Sequence, residues 1–268
     1  METKSQINAL RAEFVKFGIN GYIIPSTDEY GSEYTSESAR RLEYITGFTG
    51  SNGVAVITLS QSLFFTDSRY FEQARIELDK EFQIYDLKIL REKLVGFDFE
   101  IGYDDMLFTE KQLNTFKSAK LKAIDGNLVD SIWQNKPEKP GSKIFHYPIE
   151  YSGEEFASKI ARVRENMVSD YVLVTAADSI CWLLNIRASD VEFCPLMLGY
   201  LVFSKDKIWL FINNPGRICL VEPHLPGLIV KDESEVKNFL FKLSGTVAVD
   251  LSFAPAGLAR LCKNKLDI

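Results

Sequence analysis

Histidine is almost absent from this chain. There are two in 268 residues, His146 and His224, and neither has an H-x-x-x-H or H-x-x-E-H spacing. A zinc or histidine-base site has little to be built from. Cysteine is sparse as well. Cys181, Cys194, Cys219 and Cys262 all lie in the second half, and no two form C-x-x-C. The opening METKSQINALRAEF lacks a basic stretch followed by an apolar one, so no secretory signal is expected. The thiols are then read as reduced, mostly buried small hydrophobes of a cytoplasmic protein. Long apolar runs are missing too. The greasiest stretch, Pro195 to Phe203, has strand length rather than the ~20 residues of a membrane-crossing helix. Nor is positive charge in excess. Lys and Arg number 31 against 37 Asp and Glu, a net charge of −6, which favours neither nucleic acid nor an anionic membrane.

Loops that could cradle a ligand also fall short of known patterns. Gly47, Gly50 and Gly53 in TGFTGSNG are spaced G-x-x-G-x-x-G and lead into a strand. No helix N-terminus is offered to a phosphate, and the reading is a turn that needs positive φ. Ser51 sits in that turn without the G-x-S-x-G frame of a nucleophile elbow. The two histidines read as exposed loop residues. A scattered carboxylate site for magnesium or calcium has no residue pattern behind it.

What is present is ordinary globular composition and a repeated pattern. The length suits two domains. Ile7, Leu10, Phe14 and Val15 mark a helix over Gln6 to Phe17, ended by Gly18 and Gly21. A buried strand at Tyr22–Ile24 follows, then a polar loop with Asp28 and a helix near Tyr44. Strands at 54–57 and 63–65 are joined by a tight polar turn. Further on, the readings are helix 69–78, strand 82–87, strand 101–104, helix 111–119 and a helical turn at 128–133. NKPEKPGSKIFHYP, with three prolines, reads as an inter-domain linker that forms neither helix nor sheet. After it the order restarts: helix 156–168, strand 171–174, loop aspartate Asp178, helix through Trp182, and a strand pair at 198–203 and 208–212. Helix 233–243, strand 247–249 and helix 256–262 complete the chain. The expectation is one α/β unit used twice, at 1–148 and 149–268. Each sheet should be mixed, because hairpin-joined strands run antiparallel. The end, LARLCKNKLDI, reads as a helix with no closing strand.

Two polar segments stand out as candidate sites. Asp67, Arg69 and Tyr70 in FFTDSRY lie where a strand hands over to a helix, the end of a sheet where ligands gather. The local alternative is that Asp67 caps the helix and Arg69 pairs with a carboxylate. Arg187, Ser189 and Asp190 in NIRASDVE form a similar polar loop after an apolar helix.

These residues resemble a family. YIIPSTDEYGSEY, RRLEYITGFTGSNGVAVIT and FFTDSRYFEQA, in that order, are similar to the first domain of the Xaa-Pro aminopeptidases (aminopeptidase P). VTAADSICWLLNIRASDVEFCPLMLGYLVF is similar to their second domain, and NLVDSIWQNKPEKP to the segment that closes the first. The resemblance covers essentially the whole chain. It points to the three-domain form, in which two creatinase-type domains precede a catalytic one. It implies removal of an N-terminal residue from peptides with proline second. Two divalent metals, commonly manganese, polarise the carbonyl and generate the nucleophile. Their ligands would be two aspartates, a histidine and two glutamates in a C-terminal domain. This sequence stops at Ile268 without such a domain, so no ligand and no catalytic residue carries over.

The resemblance further implies that such N-terminal domains form homo-oligomers and wall the active-site entrance. It places Asp28, Glu33, Tyr34, Asp67, Arg69 and Tyr70 near that entrance, where a charged side chain could hold a peptide terminus. Arg187 and Asp190 are the second-domain loop candidates. The alternatives are a stand-alone creatinase-type binding or assembly module, and an amidinohydrolase-like enzyme, for which no catalytic constellation is visible.

Overall fold

Ile7, Leu10 and Phe14 recur at three- and four-residue steps, which sets them on one stripe of a helix. All three are buried in α1 (Glu2–Phe17), and the chain turns out of that helix at Gly18, whose φ is 62°. Val15, assigned by sequence to the same stripe, is 82% exposed. One residue beyond Phe14, it is rotated about 100° round the axis. The structure, a computed structural model, describes residues 2–268.

After α1 come β1 (Gly21–Pro25), α2 (Arg41–Thr46), β2 (Gly53–Thr58), β3 (Ser62–Thr66), α3 (Phe71–Glu77) and β4 (Phe82–Asp86). Next are α4 (Leu90–Val95), β5 (Ile101–Asp104), α5 (Glu110–Thr115), β6 (Leu121–Ile124) and α6 (Leu128–Ile132). The strands form one sheet in the order β4-β3-β2-β1-β5-β6, with β2 antiparallel to both neighbours and the other pairs parallel. Successive strand residues face opposite ways. Tyr22, Ile24, Ala55 and Ile57 therefore pack with α1, α2 and α6, while Ile23, Val54, Val56 and Leu63 pack with Leu90 and Leu94 of α4. Helices cover both faces, which explains why these strands read as unbroken apolar runs.

The later half contains β7 (Phe145–His146), α7 (Ile149–Ser152), α8 (Phe156–Glu165), β8 (Tyr171–Val174), α9 (Ala177–Leu184), β9 (Ile186–Arg187) and β10 (Tyr200–Ser204). It continues with β11 (Ile208–Ile212), β12 (Leu228–Asp232), α10 (Val236–Lys242), β13 (Thr246–Val249), α11 (Ala256–Ala259) and β14 (Asn264–Asp267). Its sheet runs β12-β11-β10-β8-β13-β14, again with one strand, β10, antiparallel to both neighbours. Strand for strand this is the order of the first sheet. The protein is α/β, with two mixed sheets of the same topology, as the repeated pattern implied.

Five strands escape the sequence reading: β6, β12 and β14, which form edges of the two large sheets, and the two-residue strands β7 and β9, which pair with each other. Edge strands carry charged and half-exposed side chains, so neither alternation nor an apolar run marks them. In β6 only Ile124 is buried, and β14 is NKLD. The latter corrects the expectation that no strand closes the chain, because β14 pairs in parallel with β13 from Thr246↔Asn264 to Val249↔Asp267.

Compact grouping of the chain differs from a simple cut at 148/149 in two ways. One unit holds the residues up to Asp28 with Glu37–Glu138, and the other holds Glu29–Ser36 with Lys139–Ile268. The expected linker forms no helix and only a two-residue strand, but it is anchored to the second unit rather than free. Phe145 and His146 pair with Arg187 and Ile186, and Ile144 is fully buried in the core of the second unit. Ser142 donates its backbone N–H and its hydroxyl to Asp190. The segment Glu29–Ser36 is likewise part of that unit. The Tyr30 ring stacks on Tyr200, 5.3 Å between centroids, and its hydroxyl donates to Glu233 Oε1 at 2.6 Å. Lys139 Nζ reaches the other oxygen of Glu233 at 3.1 Å, and Tyr200 donates to the Glu29 carbonyl at 3.0 Å. Burial, and then the Glu233 charge, hold the Tyr30 hydroxyl well above its ordinary pKa, so it remains a donor.

Candidate functional site

Because β2 is antiparallel to β1 and β3, its start lies at the same sheet edge as their ends. The loop that leads into β2 is sewn to both. Ser26, just past β1, donates its backbone N–H to the Gly53 carbonyl at 2.9 Å and its hydroxyl to the Ser51 carbonyl at 3.0 Å. Thr66, the last residue of β3, donates its hydroxyl to the Asn52 carbonyl at 2.6 Å. The three glycines of this loop have different reasons to be glycine. Gly47 has φ 78°, the turn expected. Gly50 and Gly53 do not: a Cβ at Gly50 would lie 2.3 Å from the Phe48 ring, and one at Gly53 2.7 Å from that of Phe64.

On this frame stand Asp67, Arg69 and Tyr70. Asn52 Nδ2 donates to Asp67 Oδ2 at 2.6 Å. Arg69 forks onto the same carboxylate, Nε to Oδ1 at 2.9 Å and Nη2 to Oδ2 at 2.8 Å, and adds its backbone N–H at 3.0 Å. The Arg69 hydrogen bonds, followed by that of Asn52, hold the Asp67 carboxyl far below the usual carboxylate range. The guanidinium lies 5.2 Å from the Tyr70 ring centre, and the Tyr70 hydroxyl is 2.9 Å from that of Ser51. The local alternative therefore holds in part. Asp67 is the carboxylate with which Arg69 pairs, while α3 has no side-chain cap. With 65% of its side chain exposed, Arg69 still presents a planar cation to solvent from a fixed, aromatic-backed position.

The other expected residues fall elsewhere. Asp28 is buried in the first unit, 2% exposed, so it offers little to a ligand. Glu33 and Tyr34 are exposed but ride on the segment Glu29–Ser36, which belongs to the second unit. Arg187 lies 4.3 Å from the Tyr147 ring centre and donates to the carbonyls of Cys181 and Ile186. Asp190, read as a polar loop residue, is turned fully inward. Its oxygens accept from Arg217 Nη2 at 2.8 and 2.6 Å, from the Ser142 hydroxyl at 2.6 Å and from the Leu198 N–H at 3.0 Å. Ser26, Asn52 and Arg217 were not singled out by sequence. Ser26 and Asn52 sit in turns whose partners are set by strand pairing. Arg217 lies 27 residues from Asp190, with no spacing to link them.

Among the described residues no three of His, Cys, Asp and Glu come together as metal ligands. Cys181 and Cys262 are buried, Cys194 is half-buried and Cys219 exposed, so burial of the thiols is less general than expected. No helix among the described residues is long and apolar enough to cross a membrane. The histidines, read as separate loop residues, stack on each other with centroids 4.0 Å apart and planes 13° off parallel. Burial, then the neighbouring His224, hold His146 below its ordinary value of 6.5, with Glu155 opposing. The unfolded chain binds the proton that the fold resists. Stability should therefore be lost as pH falls through the histidine range, below about 6.5. Thermal melts at pH 7.5 and 5.5 should show a smaller acid loss in His146→Phe than in the native chain. An unchanged loss would refute the assignment.

Comparison with known proteins agrees with this architecture. Residues 6–129 match the family described as Creatinase/Prolidase N-terminal domain, and residues 135–267 match a second family of the same description. A Laccaria bicolor protein named "Probable Xaa-Pro aminopeptidase P" is 32% identical over 269 residues, covering 93% of this chain and 42% of that protein. Xaa-Pro aminopeptidase 1 of Dictyostelium discoideum is 31% identical, covering 88% of this chain and 42% of that protein. The crystal structure of an X-prolyl aminopeptidase from Caenorhabditis elegans, described as a cytosolic enzyme with a di-nuclear active site, superimposes with a TM-score of 0.90 at 26% identity. It covers 100% of this chain and 50% of its own. The chain thus spans half or less of the length of these relatives. It belongs to the creatinase/prolidase N-terminal domain family, which it carries twice in succession, and it is related along nearly all its length to the Xaa-Pro aminopeptidases.

Proposed function

We propose that this chain is the non-catalytic N-terminal region of an Xaa-Pro aminopeptidase. The longer protein would remove the N-terminal residue from peptides with proline second. It would use two divalent metal ions, manganese by preference, held by residues outside these 268. The span of similarity supports this reading most directly. Two creatinase/prolidase N-terminal domains account for nearly the whole chain, which in turn matches about two fifths to half of each relative.

These domains would instead limit access to the active site and support a homo-oligomer in the cytosol. Arg69 is the proposed positioning residue. Its guanidinium is oriented by Asp67 and Tyr70, and its side chain is 65% exposed. Glu33 and Tyr34 are proposed as substrate contacts carried by the second unit.

Hydrolysis of Arg-Pro-Pro in manganese buffer is expected from a protein extended to the relatives' full length, and not from the 268-residue chain. Activity in this chain alone would overturn the reading. In the extended protein, Arg69→Ala should lower kcat/KM about tenfold, the scale of one lost charge-assisted hydrogen bond. Its melting temperature should stay within about 2 °C, because the lost ion pair is exposed. Matched losses of activity and stability would remove Arg69 from that role.

A further inference from the structure

The two large sheets correspond residue by residue. In the turn after β2 the Thr58 N–H donates to the Gln61 carbonyl, and in the turn after β10 the Ser204 N–H donates to the Lys207 carbonyl. Thr58 pairs with Gly21 and Ser204 with Tyr171, so Tyr22 and Val172, one residue on, hold the same place. Across the first sheet Tyr22 pairs with Gly102, and Gly102 with Lys122. Across the second, Val172 pairs with Ala248, and Ala248 with Leu266. Two residues further along the edge strands, on the same face, stand Ile124 and Ile268.

In the first unit this face is covered. The chain turns through Asp125, Gly126 and Asn127, and the Asn127 side chain accepts from the Val129 and Asp130 N–H groups at the start of α6. That helix packs beside α1. Its Leu128 and Val129 are 2% and 0% exposed, in one core with Tyr22 and Ile124. In the second unit the same face is open. A groove of about 290 Å³ lies between the end of α8 and strands β8 and β13. Val163, Met167, Val168, Val172, Ala248 and Ile268 line it. Ile124 is 4% exposed, whereas its counterpart Ile268 is 63% exposed, and Val168 beside it 84%.

We propose that this groove is the seat of a short amphipathic helix formed by the residues that directly follow Ile268 in the longer protein. The proposal rests on the reading above that the chain is part of such a protein. Size narrows the occupant. The groove is smaller than the ~300–1,000 Å³ of small-molecule sites. A second copy of the chain would need the ~1,200–2,000 Å² of a stable interface. A few aliphatic side chains fill the groove, as Leu128 and Val129 fill the matching place in the first unit. A segment joined to Ile268 reaches it within three residues and at the high effective concentration of an intramolecular partner. The repeat places apolar residues at about the fourth and fifth positions after Ile268, with a capping Ser, Thr, Asp or Asn just before them. Once docked, the helix closes the core of the second unit and fixes the direction in which the rest of the chain leaves it.

The test compares the 268-residue chain with the protein extended to the relatives' full length. Hydrogen exchange is read by mass spectrometry in the peptides that carry Val168 and Ile268. It should be about tenfold slower in the extended protein. Ile268→Asp should return it to the rate of the short chain. In the short chain itself, where Ile268 is exposed, the same substitution should change neither exchange nor melting temperature. A benzoylphenylalanine in place of Val168 identifies the occupant. On illumination it should join the ten or so residues after Ile268 of the same molecule, the length of the turn and a short helix. Unchanged exchange on extension, adducts with any other part of the extended protein, or adducts between two molecules overturn the proposal. Hydrolysis of Arg-Pro-Pro is measured on the same samples. Activity with the groove still open sinks this proposal alone, and a covered groove without hydrolysis sinks the peptidase reading alone.

Discussion

Replacing Asp190 by alanine is expected to destabilise the second unit by about 3–5 kcal/mol, the scale of breaking one partner of a buried ion pair. The pair is fully internal, with 0% of the Asp190 side chain and 3% of the Arg217 side chain exposed. Removing the carboxylate would leave a guanidinium in a dry environment. It would also strand the Ser142 hydroxyl and the Leu198 N–H, which Asp190 now accepts. Arg217 would keep only carbonyl acceptors, those of Ser142 at 2.8 Å, Pro140 at 3.3 Å and Asn213 at 3.4 Å. The measurement is urea unfolding followed by circular dichroism. The double variant Asp190→Leu with Arg217→Met should recover part of the loss, because two apolar groups do not leave a bare charge. A loss below about 1 kcal/mol for Asp190→Ala would mean that solvent reaches the pair and that its burial is overstated.

A fragment starting at residue 149 is expected not to fold cooperatively, whereas one starting at 139 should regain a cooperative transition. The cut at 149 discards Pro140 and Ser142, which supply carbonyls to Arg217, and Ile144, which fills the core. It also removes β7, the only partner of β9 among the described strands. Many of the costs are of the kind that reach several kcal/mol each: a cavity, and buried polar groups left unsatisfied. Together they are comparable with the roughly 5–15 kcal/mol that a domain typically has. Both fragments lack Glu29–Ser36, so the longer one should still be less stable than the same unit in the intact chain. Thermal melts and amide dispersion would decide. A sharp transition in 149–268 matching that of the intact chain would show that the segment before α7 is only a tether.

Much of the fold was legible in the residues because the sheets are buried on both faces. GVAVIT and YLVF are apolar without a break, and such runs leave little choice but a central strand. What stayed hidden depends on partners distant in sequence. LKAI and NKLD are strands only because a neighbour lends them hydrogen bonds. NKPEKPGSKIFHYP has the composition of a tether, yet Ser142 and Ile144 have places prepared by residues dozens of positions away. The candidate site follows the same division. Asp67, Arg69 and Tyr70 are contiguous, so their cluster could be read directly. The inward turn of Asp190 could not, because RASDVE contains no sign of Arg217. Glu33 and Tyr34 look continuous with Asp28, and only the packing of Tyr30 on Tyr200 separates them.

That packing also sets a clock. Tyr30 bonds a residue 203 positions further along, and Glu29 one 171 positions further along. At a synthesis rate of roughly 5–20 residues per second, the segment emerges from the ribosome some 10–40 s before its partners exist. Throughout that interval the first sheet can close around its own helices while Glu29–Ser36 hangs out of it as an unclaimed loop. The second unit, although most of it is made after the first, has to reach back for a piece made early. Its completion therefore waits until Tyr200 and Glu233 have been made, and until then this loop stays open to proteases and chaperones.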